Sequence, residues 1–394
     1  MQVSRICSDL VRIKSENPPG RTDEVIEYIR DFVAGIGLHP SVCGNGQGME
    51  NLVARPAGAR MILCGHVDVV PALADGWAKP PFSGAIEEGW VWGRGSTDMK
   101  GGCAAILSAC KMLADNNEEI PATLVFVCDE ETGGENGIRY LLANNRIPPC
   151  DCIIAEPTPA RHPSIGQKGL LRVSLEFAGV PAHGSLYPAV GVSAIMEAMT
   201  FLAYIKSLHD NDYPVDSHLH EIIAQSSAVL EQEFRTSGIS DILKKLTFNP
   251  GIIRGGEKSN VVAQQCELEL EMRIPWGCSI AALLAGIAAH AGTAAVTTHE
   301  SFAPSAEEPQ SPLVTTTCSE VERVYGGTVF PILQWAASDA RHLRTCGFHV
   351  IQYGPGEISS LHAVNERTSI DSLEKAVMVY RGVMQRYAEK DLRK

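Results

Sequence analysis

The chain has 394 residues, a length that predicts two or three domains at roughly 150 residues each. Apolar residues make up 45% and charged residues 20%, so the chain can build a large core, and disorder as its overall state is excluded. Its 33 Lys and Arg against 46 Asp and Glu give a formal net charge of −13, which argues against nucleic acid or an anionic membrane as the main partner because phosphate binding needs a concentrated basic face.

The first half of the chain alternates predicted helices with short apolar strands. Apolar residues recur at helical spacing in VSRICSDLVRIKS (3–15) and TDEVIEYIRDFVAGIG (22–37). Strand-length apolar runs and further helical stretches then follow in turn, at NLVAR, ARMILCGHVDVV, GGCAAILSACKMLADNN, ATLVFVCDE, NGIRYLLANNR and DCIIAE. This alternation predicts an α/β layered structure whose sheet is covered on both faces.

The pattern changes near Lys168. LLRVSLEFAG (170–179) and CELELEMRI (266–274) alternate apolar with polar residues, as a strand with one exposed face does. Long helices are predicted at 189–208 and 280–292. Strands and helices in this order predict a small α+β domain with a one-sided antiparallel sheet.

A segment rich in Pro and acidic residues, FAPSAEEPQSP (302–312), is interpreted as a crossing back to the first domain. Beyond it the α/β pattern returns, with a helix at 313–325, a strand at HVIQYG (349–354) and a last helix at 372–389. We therefore predict an inserted domain within a discontinuous α/β domain. The inserted domain spans 169–298, and the discontinuous domain is formed by 1–168 and 299–394.

The twelve cysteines are dispersed along the chain, and no CxxC pair occurs. Most have apolar neighbours, where a reduced thiol packs as a small hydrophobic side chain, so we expect thiols rather than a disulfide framework. The N-terminal segment lacks a secretory apolar core, and no apolar run approaches about 18 residues. The expected location is therefore the cytoplasm.

Acidic residues and histidines follow the predicted strands at their carboxyl ends. In an open α/β sheet these ends line one crevice, so residues far apart in sequence can converge there. Two imidazoles and three carboxylates would meet, and this ligand set suits zinc or a similar divalent ion. Five ligands are enough for two ions if one carboxylate bridges them. The five residues are His66, Asp98, Glu131, Glu156 and His362.

Neighbouring carboxylates can support these ligands. Asp68 lies two residues after His66, on the same side of an extended segment, and can accept the other imidazole N–H. The tandem Glu130–Glu131 allows one glutamate to bind metal while its neighbour carries a proton from water to the leaving amine. Two alternatives remain open: the tandem could be a solvated loop, and Asp98 could simply cap the helix that begins near Lys100.

Five motifs resemble the M20 metallopeptidase family, the group of acetylornithine deacetylase, succinyl-diaminopimelate desuccinylase, aminoacylase and carboxypeptidase G. GHVDVV, GRGSTDMKGG, CDEETGG, IIAEPT and LHAVNE occur in family order, and the resemblance extends from SENPPG to HAVNERTSI. It implies a mixed-sheet catalytic domain like that of the zinc exopeptidases, with an inserted α+β domain that acts as a lid and in dimerisation.

The resemblance also implies two divalent metal ions per chain, zinc in first place and cobalt or manganese as alternatives. His66 and Glu156 would bind one ion, Glu131 and His362 the other, and Asp98 would bridge both. The peptide bond that follows the bridging Asp is typically cis in relatives.

Other roles are implied by further matches. Glu130 is the implied general base, and Asp68 the partner of the first histidine ligand. PAHGS resembles the stretch whose histidine reaches across a dimer interface, so His183 would donate to the oxyanion in the partner's site. GGEKSNVVA and EMRIP resemble the segments that supply Asn260 and Arg273, which hold the carboxylate end of the substrate.

The expected function is therefore cleavage of the amide bond of a small N-acyl amino acid by water that the metal ions activate and Glu130 deprotonates. A deacylase similar to acetylornithine deacetylase or succinyl-diaminopimelate desuccinylase is the first interpretation, and an M20-type carboxypeptidase or dipeptidase is the second. The third is a non-catalytic dimeric binding module, which predicts loss of a ligand or of the base. The expected partners are the small substrate and a second copy of the chain, bound through the inserted domain.

Overall fold

A computed structural model describes residues 2–389, in which helices and strands alternate along most of the chain. The helices are α1 (Val3–Arg12), α2 (Asp23–Gly35), α3 (Lys100–Asp115), α4 (Ile138–Ala143), α5 (Ala194–His209), α6 (Ser217–Phe234), α7 (Ile280–His290), α8 (Pro312–Tyr325), α9 (Ala340–Thr345) and α10 (Ile370–Ala388). Short 3₁₀ helices occur at Glu130–Thr132, Gly184–Leu186, Ile239–Asp241 and Ile358–Ser360.

The strands are short in the first half of the chain and longer in the middle. They are β1 (Pro40–Gly44), β2 (Glu50–Ala54), β3 (Met61–His66), β4 (Ala85–Glu87), β5 (Trp90–Trp92), β6 (Ala122–Val127), β7 (Asp151–Ile154), β8 (Ser164–Gln167), β9 (Gly169–Ala178), β10 (Thr247–Gly255), β11 (Gln265–Ile274), β12 (Ala295–Phe302), β13 (Ser305–Ala306), β14 (Ile332–Gln334), β15 (His349–Gln352) and β16 (Arg367–Ser369).

The chain forms two compact units. The second unit consists of Gly166–Ala306 and Leu333–Ala337, and the first unit contains the remaining described residues. The long segment of the second unit ends at Ala306, beyond the predicted boundary at 298, because β12 continues to Phe302 and stays paired with β9 to that residue. A boundary at 298/299 would cut this strand. Leu333–Ala337 carried no signal in the sequence; it belongs to the second unit, where the Leu333 N–H donates to the Ser226 side-chain hydroxyl.

The first unit contains a mixed sheet with the strand order β1-β2-β6-β3-β7-β15. Strand β3 runs parallel to β6 and β7, and β15 runs parallel to β7, whereas β1 and β2 are antiparallel additions at one edge. Every residue of β3 and β6 is buried, as expected for strands covered on both faces. Helix α3 packs against β3, α1 and α10. The sequence therefore predicted the central layer correctly.

Three parallel strands bring chemically active loops to one edge of this sheet. Strand β3 ends on His66, β6 ends just before Asp129, and β7 ends two residues before Glu156. Because β6, β3 and β7 are neighbours with the same direction, the residues that follow them lie side by side.

The second unit contains an antiparallel sheet with the order β10-β11-β9-β12. Buried and accessible residues alternate along β11, which is the pattern of a sheet with one covered face. Helices α5 and α7 cover that face, where Phe201 and Ile287 pack with Leu268 and Leu270. This is the one-sided α+β arrangement that the alternation predicts.

Several elements were missed or displaced in the sequence interpretation. Helix α6 and strand β10 lie between the predicted elements at 189–208 and 266–274, where the sequence pattern indicated none. Most of β10 is exposed, and it contains no long apolar run. The helix predicted from 189 begins at Ala194, because the Ser193 hydroxyl accepts the Met196 N–H and caps it there.

All twelve cysteines are free thiols, as predicted, and Cys346 is the exposed one. Eleven others are buried or half-buried, where they act as small hydrophobic side chains. Among residues 2–389, no helix combines the length and apolarity needed to cross a bilayer.

Candidate metal centre

Five side chains from the first unit come together in two overlapping groups. One group is His66, Asp98 and Glu156, and the other is Asp98, Glu131 and His362. Within each group the potential ligand atoms all lie within 4.8 Å of one another, and Asp98 belongs to both. The fold thus brings together the five residues that the sequence analysis selected as ligands.

The carboxylate of Asp98 lies between two imidazoles. Its Oδ1 is 3.0 Å from His66 Nε2, and its Oδ2 is 3.3 Å from His362 Nε2. Glu156 Oε1 lies 3.8 Å from the first imidazole, and Glu131 Oε2 lies 3.3 Å from the second. Each oxygen of one carboxylate therefore faces a different histidine and glutamate pair.

The alternative that Asp98 is only a helix cap is wrong. Helix α3 has Met99 at its N-cap position, with no side-chain cap hydrogen bond, and the Asp98 carboxylate faces the imidazoles. The Asp98–Met99 peptide is cis, as the family resemblance implies.

The donor set fits divalent cations. Glu131 Oε1 is buried and has no hydrogen-bond partner among the described residues, so it offers an unused oxygen. Burial and the charge of Asp98 raise the pKa of Glu131 to about 7, and the same two causes raise the pKa of Glu156 well above its usual range. Carboxylates crowded in this way repel each other unless protons or cations lie between them. Imidazole nitrogen with carboxylate oxygen suits zinc or a similar ion.

The first imidazole is oriented mainly by a backbone oxygen. His66 Nδ1 lies 2.9 Å from the carbonyl oxygen of Asp68 and 3.4 Å from its carboxylate Oδ1, whereas the sequence analysis expected the carboxylate as the partner. The carboxylate instead accepts an N–H from Asn17 Nδ2 at 2.9 Å and the backbone N–H groups of Glu130 and Glu131, each at 3.2 Å. An Nδ1–H directed at the carbonyl leaves the Nε2 lone pair facing Asp98.

The tandem glutamates begin a tight 3₁₀ turn. Asp129 precedes them with a left-handed backbone (φ 69°), and its carboxylate accepts the backbone and side-chain N–H groups of Asn136 at 2.8 and 3.0 Å. Burial raises the pKa of Glu130 above its usual range. Asp339 is also buried, and burial together with the charge of Glu130 raises its pKa well above the usual range.

Three residues near the centre were given no role in the sequence analysis. Asn17 contacts Asp68, Arg94 contacts the backbone of His362, and Glu366 contacts the backbone of the loop before Asp98. All three occur inside motifs that were quoted for the family resemblance, namely SENPPG, GRGSTDMKGG and LHAVNE. Their presence in those motifs was the signal that could have found them.

The other predicted site residues belong to the second unit. His183 Nδ1 lies 2.8 Å from Ser185 Oγ, and the neighbouring Gly184 N–H donates to the carbonyl of Asn260 at 2.8 Å, so the two predicted residues lie on adjacent segments.

Arg273 is partly occupied by a neighbour in its own strand. Its Nε and Nη2 lie 2.8 and 2.6 Å from Glu271 Oε1. Its Nη1 is buried without a hydrogen-bond partner among the described residues, which leaves one guanidinium nitrogen available for an anion.

The chain is similar to several known proteins. A family model described as peptidase family M20/M25/M40 matches residues 62–386. Succinyl-diaminopimelate desuccinylase of Helicobacter hepaticus is 28% identical over 350 residues, which cover 83% of this chain and 82% of that protein. A probable carboxypeptidase of Paracoccidioides brasiliensis is 30% identical over 389 residues, covering 92% and 80%. The M20 metallo-carboxypeptidase Sso-CP2 of Sulfolobus solfataricus has the same fold, with a TM-score of 0.81 at 21% identity over 98% of this chain and 99% of that chain.

Proposed function

Because the chain belongs to peptidase family M20/M25/M40 and is a hydrolase of amide or peptide bonds, we propose that it removes the acyl group from a small N-acylated amino acid. The observation that carries the hydrolytic chemistry of the proposal is the position of Asp98, whose two oxygens face two different imidazoles. A carboxylate that bridges two cations needs this arrangement. The desuccinylase among the relatives supports an acyl-amino acid as the substrate class.

A second candidate is a carboxypeptidase or dipeptidase of the same family. The probable carboxypeptidase of Paracoccidioides brasiliensis favours it, since it shows a similar degree of identity over a similar length. Both candidates hydrolyse an amide next to a carboxylate, so they share the chemistry of the centre and differ in the group they accept. A non-catalytic binding module would have lost a ligand or the base, and all six of those positions are filled.

We propose that the centre holds two zinc ions, with cobalt or manganese as alternatives. His66 and Glu156 would bind one ion, Glu131 and His362 the other, and Asp98 both. When bound, the two ions would polarise the scissile carbonyl and lower the pKa of the attacking water.

Glu130 is the proposed general base, and it moves the proton. Its carboxylate takes the proton from the attacking water and passes it to the departing amine, which requires a carboxyl group whose pKa lies closer to neutrality than usual. Burial raises the pKa of Glu130 in that direction. Its neighbour Asp68 accepts the Glu130 and Glu131 backbone N–H groups and so fixes the base relative to the ligand.

Residues of the second unit are proposed to bind the substrate. The carboxylate end would dock on Arg273 and Asn260, and the buried Nη1 of the arginine supports this role because it has no hydrogen-bond partner among the described residues. His183 of a second copy would donate to the oxyanion that forms on the scissile carbonyl.

We propose that the second copy binds through the second unit as a homodimer. Exposed large apolar side chains support this interface: Met196 and Met199 on α5, and Ile252 and Ile253 on β10. Strand β10 is at the edge of its sheet, where its outer backbone groups can pair with another chain.

Replacing the base tests the reaction. Glu130→Ala is expected to bind two metal ions, because Glu130 is not one of the five ligands, and to lose turnover by about 10²–10⁴-fold. Metal content by elemental analysis and kcat on an acyl-amino acid measure the two effects. Glu135→Ala, in an exposed residue of the same loop, is the matched control and should keep wild-type turnover. Near-normal turnover of Glu130→Ala would overturn the assignment.

The same variant tests the role of His183 in trans. Hybrid dimers of Glu130→Ala with His183→Ala contain one site that has both Glu130 and the partner's His183. We expect two nearly inactive proteins to regain activity when they are co-expressed or exchanged. No recovery would contradict the trans role, and a monomer by sedimentation would contradict both the dimer and the trans role.

A substrate panel separates the two candidate functions. N-acetylornithine, N-succinyl-diaminopimelate, other acyl-amino acids and dipeptides are assayed with zinc, cobalt or manganese. Higher kcat/KM on an acyl-amino acid supports the deacylase, and higher kcat/KM on a dipeptide supports the peptidase. About two bound ions per chain favour the enzyme over the binding module, and no bound ion would favour the binding module.

A further inference from the structure

A fully buried carboxylate holds the loop that carries Asp98. Glu366 Oε1 accepts three backbone N–H groups of that loop, from Gly95 at 2.9 Å, Thr97 at 2.9 Å and Asp98 at 3.1 Å. Three donors converging on one oxygen fix the path of the backbone as far as the Asp98 nitrogen. The orientation of Asp98 is therefore set from a residue 268 positions away in sequence.

A buried arginine holds the loop that carries His362. Arg94 is only 4% exposed, and its Nη1 pairs with Glu366 Oε2 at 2.6 Å. The same guanidinium donates to the carbonyl of Ala363 from Nη1 at 3.3 Å and to the carbonyl of His362 from Nη2 at 3.2 Å. One planar group thus binds both the anion and the neighbouring backbone.

The loop around His362 needs such an anchor. The side chain of His362 is 52% exposed, and its backbone has a φ of 57°, a left-handed conformation that costs energy in a residue other than glycine. Packing around the imidazole is therefore weak. The hydrogen bond from Arg94 to its carbonyl supplies a fixed point directly beside the ligand.

We propose that Arg94 and Glu366 are positioning residues that keep Asp98 and His362 in register, so that one carboxylate can serve both cation positions. This inference rests on the proposed function, because it assigns the two residues a part in binding a pair of ions. A buried ion pair adds little net stability relative to apolar packing, so stability alone does not explain the pair. The planar fork of arginine reaches the anion and the two carbonyls from two nitrogens held in one plane, whereas lysine offers its three donors from a single nitrogen.

Three variants test the proposal. Arg94→Lys keeps a positive charge beside Glu366 and removes the fork, and Glu366→Gln removes the negative charge. Glu320→Gln is the matched control, because Glu320 is also buried and pairs with arginines, Arg323 and Arg386, on α8 and α10. Competition with a chromophoric chelator gives the two zinc affinities, and visible absorption of the Co²⁺-loaded proteins reports ligand geometry. Circular dichroism and thermal unfolding report the fold.

Arg94→Lys is expected to lower the affinity for the ion at Glu131 and His362 by about 10–100-fold, while the affinity for the ion at His66 and Glu156 stays unchanged. Glu366→Gln is expected to lower the affinity for both ions, because both share Asp98. It is also expected to lower kcat more than it raises KM. Glu320→Gln should change neither affinity, whatever it does to the unfolding temperature.

Other outcomes would overturn the inference. If both ions bind Arg94→Lys and Glu366→Gln as they bind the wild type, the pair has no positioning role. The same holds if Arg94→Lys weakens the two ions equally. If Glu366→Gln does not fold, Arg94→Lys alone decides the test, because the Arg94→Lys variant keeps a positive charge beside Glu366. If the wild-type chain binds two ions and is active, the proposed function holds, and a negative result with the variants then counts only against the positioning role. If the wild-type chain binds fewer than two ions, both the proposed function and the positioning role are overturned.

Discussion

Asn17 separates two buried carboxylates beside the metal centre. Its Nδ2 lies 2.9 Å from Asp68 Oδ2, 3.1 Å from Asp129 Oδ1 and 3.1 Å from Thr132 Oγ1. A neutral amide can donate to both carboxylates without adding a charge between them. This one side chain therefore ties the N-terminal segment to the loop of the tandem glutamates.

Removing that donor should destabilise the first unit. Asn17→Ala removes one donor from each of two buried carboxylates, and we expect it to lower the free energy of unfolding by about 1–3 kcal/mol. Asn17→Asp should cost more, because a third carboxylate would face Asp68 and Asp129. Urea unfolding measures both. Asn144→Asp, at an exposed asparagine that bonds only to its own helix, is the control, and equal midpoints for it and Asn17→Asp would contradict the role.

The proposed metal ligands could be selected from the local sequence pattern, whereas their supports could be found only through the family motifs that contain them. His66 is the last residue of the apolar strand β3 and Glu156 lies two residues after β7, so local pattern and sheet geometry were enough to select them. Arg94 and Glu366 act through each other across 272 positions, and most of their partners are backbone atoms that any sequence would supply. A residue whose function depends on such a distant partner has no local pattern.

At the scale of elements, the first turn of α3 lies against the segment that follows β7. A Cβ built at Gly102 would meet the backbone oxygen of Ala155 and would lie 2.8 Å from its Cβ. Ala155 is held in the sheet by its N–H bond to the Cys64 carbonyl at 2.8 Å, and it immediately precedes Glu156. The absence of a side chain on Gly102 therefore allows the helix and this ligand segment to approach closely.

We expect Gly102→Ala to push Ala155 and Glu156 away from the centre. Overpacking of this kind costs about 1–3 kcal/mol of stability, and the affinity for the ion at His66 should fall with it. Thermal unfolding and zinc titration measure the two effects. Gly35→Ala is the matched control, since a Cβ there meets nothing within 4 Å near the end of α2. If both variants behave alike, the close approach has no consequence for the site.

The predictability of each element followed its burial. Strands β3 and β6 are buried at every residue and were found as apolar runs. The edge strand β10 is mostly exposed and α6 mixes polar with apolar residues, so neither differs from a loop in composition. The sequence analysis therefore captured the layers that surround a core and missed the elements that border solvent.

At the scale of the whole molecule, stability should depend on metal and pH together. Without metal, burial and Asp98 raise the pKa of Glu131 to about 7, and hydrogen bonds to Asp98 and Glu131 raise the pKa of His362 to about 10. Both values exceed those of the unfolded chain, about 4.3 and 6.5. Between about pH 4.3 and 10 the folded metal-free protein therefore binds more protons at these groups than the unfolded protein does, and their contribution to stability falls as pH rises.

Metal reverses this dependence, because ions bind the deprotonated ligands. We expect the difference in Tm between the zinc-loaded and the metal-free protein to widen from pH 6 to pH 9. Scanning calorimetry on chelator-treated and zinc-reconstituted samples in matched buffers measures it. Glu320→Gln in both forms provides a control for buried acids outside the centre. A difference in Tm that narrows with rising pH would contradict the prediction that buried acidic ligands couple stability to metal and pH.

The adjacent position of β7 and β15 has a consequence for synthesis on the ribosome. These strands pair side by side, with Asp151 opposite His349, although the whole second unit lies between them in the chain. A nascent chain emerges from its N-terminus, so the second unit is complete before β15 exists. At that moment His66, Asp98 and Glu156 have all emerged, while His362 and the anchoring Glu366 have not. The group of His66, Asp98 and Glu156 is therefore synthesised before the group that needs His362 can form, and Asp98 lacks its anchor until Glu366 follows.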